Sequence, residues 1–235
     1  MNKISKNIPN LLTCLNLILG LISINFAFRG SLEMATILIF LGLFIDFFDG
    51  FFARLLNAYS EFGKQLDSFA DLVTFGIAPS VIVYQLLHHK IFNEYALKNL
   101  NTDFNLAYIA FIFPVFGAIR LAKFNLDNKQ QENFIGLPIP AAGIFLASLS
   151  YYNKDLLNTN ILLLCLFTLS AFLVSKMNLF SLKIKKNEMK KSRINIFRTI
   201  LAISSLILFY FFNFASIPII ILIYITLSLT NNLLK

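Results

Sequence analysis

Tryptophan is absent from this chain and cysteine occurs only twice. Cys14 and Cys165 sit singly in apolar runs with no Cys-x-x-Cys spacing, which excludes a disulfide framework or a zinc ribbon and leaves two small helix-packing residues. Linker-like sequence is missing too. No low-complexity stretch and no repeat of solenoid period interrupts the chain, so one domain is the economical assignment. Charged residues make up only 14%, yet the formal net charge is +8. Such an excess can signal a nucleic-acid partner, but here the basic residues flank apolar runs, so they read as topology determinants and no nucleic acid is expected. What remains is abundant apolar sequence: 57% hydrophobic residues, 27 of them Phe, and a mean hydropathy of +0.73. At 235 residues, little is left over for a soluble domain.

Apolar runs fall near residues 9–28, 32–55, 67–87, 104–121, 138–152, 160–175, 199–212 and 215–230. Several approach the roughly 20 residues that cross a hydrocarbon core. The expected fold class is therefore all-α, a polytopic transmembrane helical bundle of about eight spans. Lys3 and Lys6 ahead of the first run resemble a signal peptide, but no small-residue cleavage site follows and a retained first helix is expected.

With the N-terminus in the cytoplasm, Lys3, Lys6, Arg54, Lys64, Arg120, Lys123, Lys129, the stretch from Lys176 to Arg198, and Lys235 fall inside. Only Arg29, Lys90, Lys98 and Lys154 fall outside. That bias favours an even number of spans in a cytoplasmic (inner) membrane with both termini cytoplasmic. The densest basic stretch, Lys183 to Arg193, reads as a solvated topology determinant compatible with weak attraction to anionic lipid. His88 and His89 are expected in a polar external loop running to Asp103, without a catalytic role.

Against this background four carboxylates and an arginine stand out. Asp46 and Asp49 are three apart at the end of the second run, and Asp67 and Asp71 four apart at the start of the third. Each spacing puts its pair on one helix face, so a helical hairpin would gather all four. A charge inside a bilayer costs at least about 2.5 kcal/mol and is kept when paired, metal-bound or facing water. Arg54 and Lys64 cannot neutralise four acids, whereas hard divalent cations can, and an oxygen-only donor set suits magnesium, manganese or calcium rather than zinc. Two such ions about 3.5 to 4 Å apart would clamp a phosphoryl group. Gly50 and Gly63 thin the helices beside the acids, and Arg54 offers a planar fork for phosphate oxygens.

The pattern Asp46-x2-Asp49-Gly50-x2-Ala53-Arg54-x8-Gly63-x3-Asp67-x3-Asp71 resembles, without departure, the signature of the CDP-alcohol phosphatidyltransferase family. The resemblance implies displacement of CMP from a CDP-linked lipid by an alcohol, with a divalent cation, Mg or Mn and two ions, as cofactor. It implies metal binding by Asp46, Asp49, Asp67 and Asp71, with Asp71 also taking the proton of the attacking hydroxyl. It further implies that Asn10, Gly50, Ala53, Arg54, Ser60 and Gly63 border the cytidine nucleotide of CDP-diacylglycerol.

Flanking segments bear on the acceptor. Pro9 to Asn16, Thr74 to Ser80, Arg120 to Asn125 and Phe134 to Ala142 resemble segments of the phosphatidylserine synthase branch, which implies L-serine as acceptor. Arg120, Lys123 and Asn125 are the candidate site for serine or a lipid phosphate. Lys123 departs from the branch's usual Arg, keeping the charge and losing the bidentate fork. Pro138 and Pro140 read as helix initiators. A phosphatidylglycerophosphate synthase of the same family is the near alternative, and a cation transporter the remote one. The resemblance covers roughly residues 9–183, giving a catalytic core over 1–183 with six spans. Residues 184–235 add the basic loop and two helices of the same membrane domain, expected to be accessory or to form the surface of a homodimer.

Overall fold

The computed structural model describes residues 7–96, 106–126, 134–153, 157–180 and 193–233. The basic run over 183–191 lies outside the described residues, as do Lys3, Lys6, Lys98, Asp103, Lys129, Lys154 and Lys235.

Helix α1 (Ile8–Phe28) begins with Pro9 in its first turn, where the missing N–H costs nothing. It turns through Gly30, at φ +80, into α2 (Leu32–Leu55). The two helices pack closely because small residues face each other. A Cβ at Gly42 would stand 2.8 Å from Asn16 Oδ1, and Ser23 Oγ donates to the Ala35 carbonyl at 2.8 Å.

After a turn containing Asn57 at φ 45, Ser60 caps α3 (Glu61–Asp71), accepting the Gly63 N–H at 2.9 Å. The third helix thus starts two turns before its apolar run. A π-helical stretch (Leu72–Ile77) joins α3 to α4 (Ala78–Ala96) without a break. Pro79 lacks the N–H that the Phe75 carbonyl would otherwise receive, and Gly143 packs directly on that carbonyl. This third segment is the centre of the bundle: 67% of its most apolar stretch is buried, against 17% for the C-terminal helices.

A 3-10 turn (Leu106–Phe111) leads into α5 (Ile112–Leu126), and Pro138 caps α6 (Ile139–Ser148), as expected of a helix initiator. Next come α7 (Thr159–Val174), α8 (Arg193–Phe212) and α9 (Ile217–Leu233), the last two separated at Asn213, φ 48. Among the described residues the nine helices form seven stretches, with α3 and α4 counted together and α8 and α9 counted together, and five of the seven are long and apolar enough to cross a membrane. The all-α expectation holds, and one two-residue antiparallel ladder, β1 (Phe134–Ile135) with β2 (Asn178–Leu179), is the extent of strand among the described residues. His88 and His89 also differ from expectation: both lie on α4 rather than in a loop, His88 with its ring 5.7 Å from that of Tyr84.

Candidate active site

Two helices build the acidic centre. The C-terminal half of α2 supplies Asp46 and Asp49, and α3 supplies Asp67 and Asp71 from the opposite wall. One oxygen from each of Asp46, Asp49 and Asp67 lies within 4.8 Å of the others. Asp71, one turn further along α3, stands against Asp46 and Asp67. The hairpin expectation is thereby met for all four carboxylates.

Two unit charges within 4.8 Å, at an effective dielectric near 20, repel by at least about 3 kcal/mol. The surroundings compensate little. Asp49, which is only 6% exposed, accepts a 2.7 Å hydrogen bond from Thr13 Oγ1, while Asp67 Oδ1 and Asp71 Oδ1 are buried without a hydrogen-bond partner among the described residues. Buried polar atoms are almost always satisfied, so orphaned carboxylate oxygens that converge call for a cation. An oxygen-only, four-carboxylate donor set fits a hard divalent ion.

A cavity of about 480 Å³ opens beside the acids. Its wall includes Asn10, Gly50, Ala53, Ser60 and Gly63, five of the six residues expected at the nucleotide, together with Asp49 and Asp67. Arg54 stands outside that wall, exposed, with Nη1 3.7 Å from where a Cβ on Gly50 would be. The close approach at Gly63 is structural as well: a Cβ there would come 2.8 Å from Asn10 Oδ1 and 3.0 Å from Ser60 Oγ. The absence of side chains at Gly50 and Gly63 keeps the helix surfaces low along the cavity.

The three residues expected at the acceptor divide. Arg120 and Lys123 line a second cavity of about 410 Å³ with Ser175 and Lys176. Arg120 is buried, its Nε has no partner among the described residues, and it stands within electrostatic reach of Asp71. Asn125 points elsewhere: its Nδ2 donates to Ser68 Oγ at 2.9 Å and its carbonyl accepts Lys64 Nζ at 3.0 Å, tying α5 to α3.

Several residues at the site carried no role in the sequence reading. Thr13 falls within the segment Pro9 to Asn16, yet it lies three residues beyond Asn10 on the same helix face and holds Asp49. Asn16, fully buried with both amide atoms unpartnered among the described residues, follows one turn later. Tyr59 joins the nucleotide-side cavity, as does Lys64, which the sequence offers only as a cytoplasmic charge and an insufficient partner for the acids. Lys176, expected only among the cytoplasmic charges, joins the second.

Helices that enclose four carboxylates at one end of the bundle, beside a glycine-thinned cavity, define a polytopic membrane protein with a metal-ready centre. The chain belongs to the CDP-alcohol phosphatidyltransferase family, whose model matches residues 6–169. It is similar to a CDP-diacylglycerol--serine O-phosphatidyltransferase of Bacillus subtilis, 44% identical over 151 residues, covering 64% of this chain and 79% of the relative. The protein of that name from Helicobacter pylori J99 is 39% identical over 138 residues, 58% of this chain and 54% of the relative. An archaetidylserine synthase of Methanothermobacter thermautotrophicus is 33% identical over 145 residues, 60% of this chain and 56% of the relative. The matching part thus spans about half the length of the last two.

Proposed function

We propose that the chain transfers the phosphatidyl group of CDP-diacylglycerol to the hydroxyl of L-serine, giving phosphatidylserine and CMP. The observation that carries this reading is the adjacency of the carboxylate centre to the cavity lined by Asn10, Gly50, Ala53, Ser60 and Gly63. The names of the similar proteins support the same chemistry.

The cytidine diphosphate is assigned to the larger cavity, with Arg54 closing over Gly50 onto phosphate oxygens. Asp46, Asp49, Asp67 and Asp71 would hold the divalent cation, magnesium or manganese, as one or two ions. A bound cation supplies charge compensation to the pyrophosphate and to the departing CMP. Thr13 fixes the carboxylate of Asp49 in its rotamer. Serine is assigned to the second cavity, its carboxylate facing Arg120 and Lys123. Its hydroxyl oxygen forms a bond to the lipid phosphorus as the bond from phosphorus to the CMP oxygen breaks. The hydroxyl proton passes to Asp71, a carboxylate whose Oδ1 carries no competing hydrogen bond. The acyl chains would enter between lipid-exposed helix faces. The distribution of Lys and Arg supports a cytoplasmic site in the inner membrane with both termini on that side. Residues 1–183 are assigned as the catalytic core, with 184–235 part of the same membrane domain.

One observation favours a second reading. Arg120, Lys123 and Lys176 around one cavity also suit a phosphate-bearing acceptor, as in a phosphatidylglycerophosphate synthase. Purified protein in detergent, given CDP-diacylglycerol, Mn2+ and one alcohol at a time, should release CMP with serine. Release with glycerol 3-phosphate and not with serine would overturn the choice of acceptor.

A further inference from the structure

Helices α8 and α9 lie beyond the family match, which ends at residue 169, and so does the segment carrying Lys176. Lys176 has no helix to hold it. The last helix of the core, α7, ends at Val174, and Ser175 is already extended at φ −65, ψ 153. Yet this stretch forms the rim of the cationic cavity opposite Arg120 and Lys123.

Two sets of bonds fix it, one on each edge. On one edge β2 pairs with β1, and the Gly136 N–H donates to the Met177 carbonyl at 2.8 Å. In an extended strand successive carbonyls point to opposite edges, so the carbonyls of Asn178 and Phe180 face away from β1. There α9 takes the place of a third strand. Tyr224 Oη donates to the Phe180 carbonyl at 3.0 Å, and Asn232 Nδ2 donates to the Asn178 carbonyl at 2.6 Å. The Phe180 ring packs edge-on against Tyr224 at 5.2 Å, and Tyr224 is itself buried. Helices α8 and α9 contribute no residue to the wall of either cavity, so α9 reaches the acceptor cavity through β2 alone.

We propose that α9 is a brace for the acceptor cavity: Tyr224 and Asn232 are positioning residues that hold β2, and Lys176, two residues before that strand, is a third cation binding the acceptor's carboxylate. This rests on the assignment of that cavity to the acceptor under the proposed function. A brace of this kind acts on acceptor affinity and leaves nucleotide binding alone, because the strand it holds runs back to Ser175 and Lys176 in the wall of the acceptor cavity and supplies nothing to the wall of the larger one.

Steady-state kinetics with serine and CDP-diacylglycerol varied separately test it. Tyr224→Phe combined with Asn232→Ala keeps the apolar packing, and should raise the KM for serine about tenfold with kcat and the KM for CDP-diacylglycerol within about twofold. Lys176→Ala should raise the serine KM about as much, Lys176→Arg should restore most of it, and Lys176→Ala added to the brace variant should raise it little further. The two single brace variants carry the same test at smaller amplitude should the double variant fold poorly. An unchanged serine KM in folded brace variants, equal losses for both substrates, or full additivity with Lys176→Ala would overturn the brace. If the wild-type protein releases CMP with glycerol 3-phosphate and not serine, the acceptor assignment fails separately, and the same KM comparison with that acceptor decides the brace.

Discussion

The α1–α2 hairpin carries hydroxyl and amide groups at both ends, and the two ends treat them differently. At the end near the chain reversal, Ser23 Oγ donates to the Ala35 carbonyl, and Thr36 Oγ1 donates to the Ala147 carbonyl at 2.8 Å with Ser150 Oγ at 2.9 Å. Every one of these groups is satisfied from within the protein. At the other end Thr13 and Asp49 are paired, while Asn16 of α1 and, facing the hairpin from α3, the Oδ1 atoms of Asp67 and Asp71 are buried without partners among the described residues. The same close packing of small residues serves both ends. The satisfied end has the bonding expected of structure, and the unsatisfied end has the bonding expected of a site that meets its ligand later.

Substitutions at the two ends should therefore separate turnover from stability. Asp49→Asn and Asp71→Asn should each lower kcat on the order of a thousandfold. Nucleotide binding measured by calorimetry should persist in Asp71→Asn and be lost in Asp49→Asn; near-normal turnover in either would break the contrast. Gly63→Ala puts a Cβ 2.8 Å from Asn10 Oδ1. It should raise the KM for CDP-diacylglycerol about tenfold with serine KM unchanged, and equal effects on both substrates would count against a nucleotide cavity. Thr13→Val removes the bond that orients Asp49 and should cost about fivefold in kcat/KM, close to the net worth of one hydrogen bond. At the satisfied end, Ser23→Ala and Thr36→Val should each lower stability by about 1 kcal/mol, read from thermal unfolding in detergent, with kcat unaltered. A turnover loss in Thr36→Val equal to that in Thr13→Val would erase the distinction between the ends.

Much of this was legible in the sequence where one strong signal dominated. The second span is legible at the bounds observed, Leu32–Leu55, because hydropathy stays high across it in spite of its acids, and the structure ends it at positive-φ turns at Gly30 and Asn57. The third helix was read short. Its first two turns, with Glu61, Lys64 and Gln65, are polar, so hydropathy missed what the Ser60 cap begins. The four acids were legible because helical spacing alone gathers them. Thr13 was not, because a lone hydroxyl in an apolar helix has no period, and its role depends on which residue of α2 lies opposite. Asn125 was legible in identity and not in direction, since α3 captures its amide through Ser68. The ladder that follows Lys176 was not legible, because two residues, Asn178 and Leu179, are too few to show alternation.

Thermal unfolding of purified, chelator-treated protein with increasing Mn2+ bears most directly on the unsatisfied end. The wild type should gain several degrees as Mn2+ rises, following the mass-action stabilisation expected of a ligand that binds only the folded state. Metal-free Asp67→Asn should start at a higher unfolding temperature than the metal-free wild type, because one repelling charge is gone, and should gain little from Mn2+. A wild-type protein indifferent to Mn2+, or an Asp67→Asn variant that responds as the wild type does, would contradict the assignment of these carboxylates to a metal-held reaction centre.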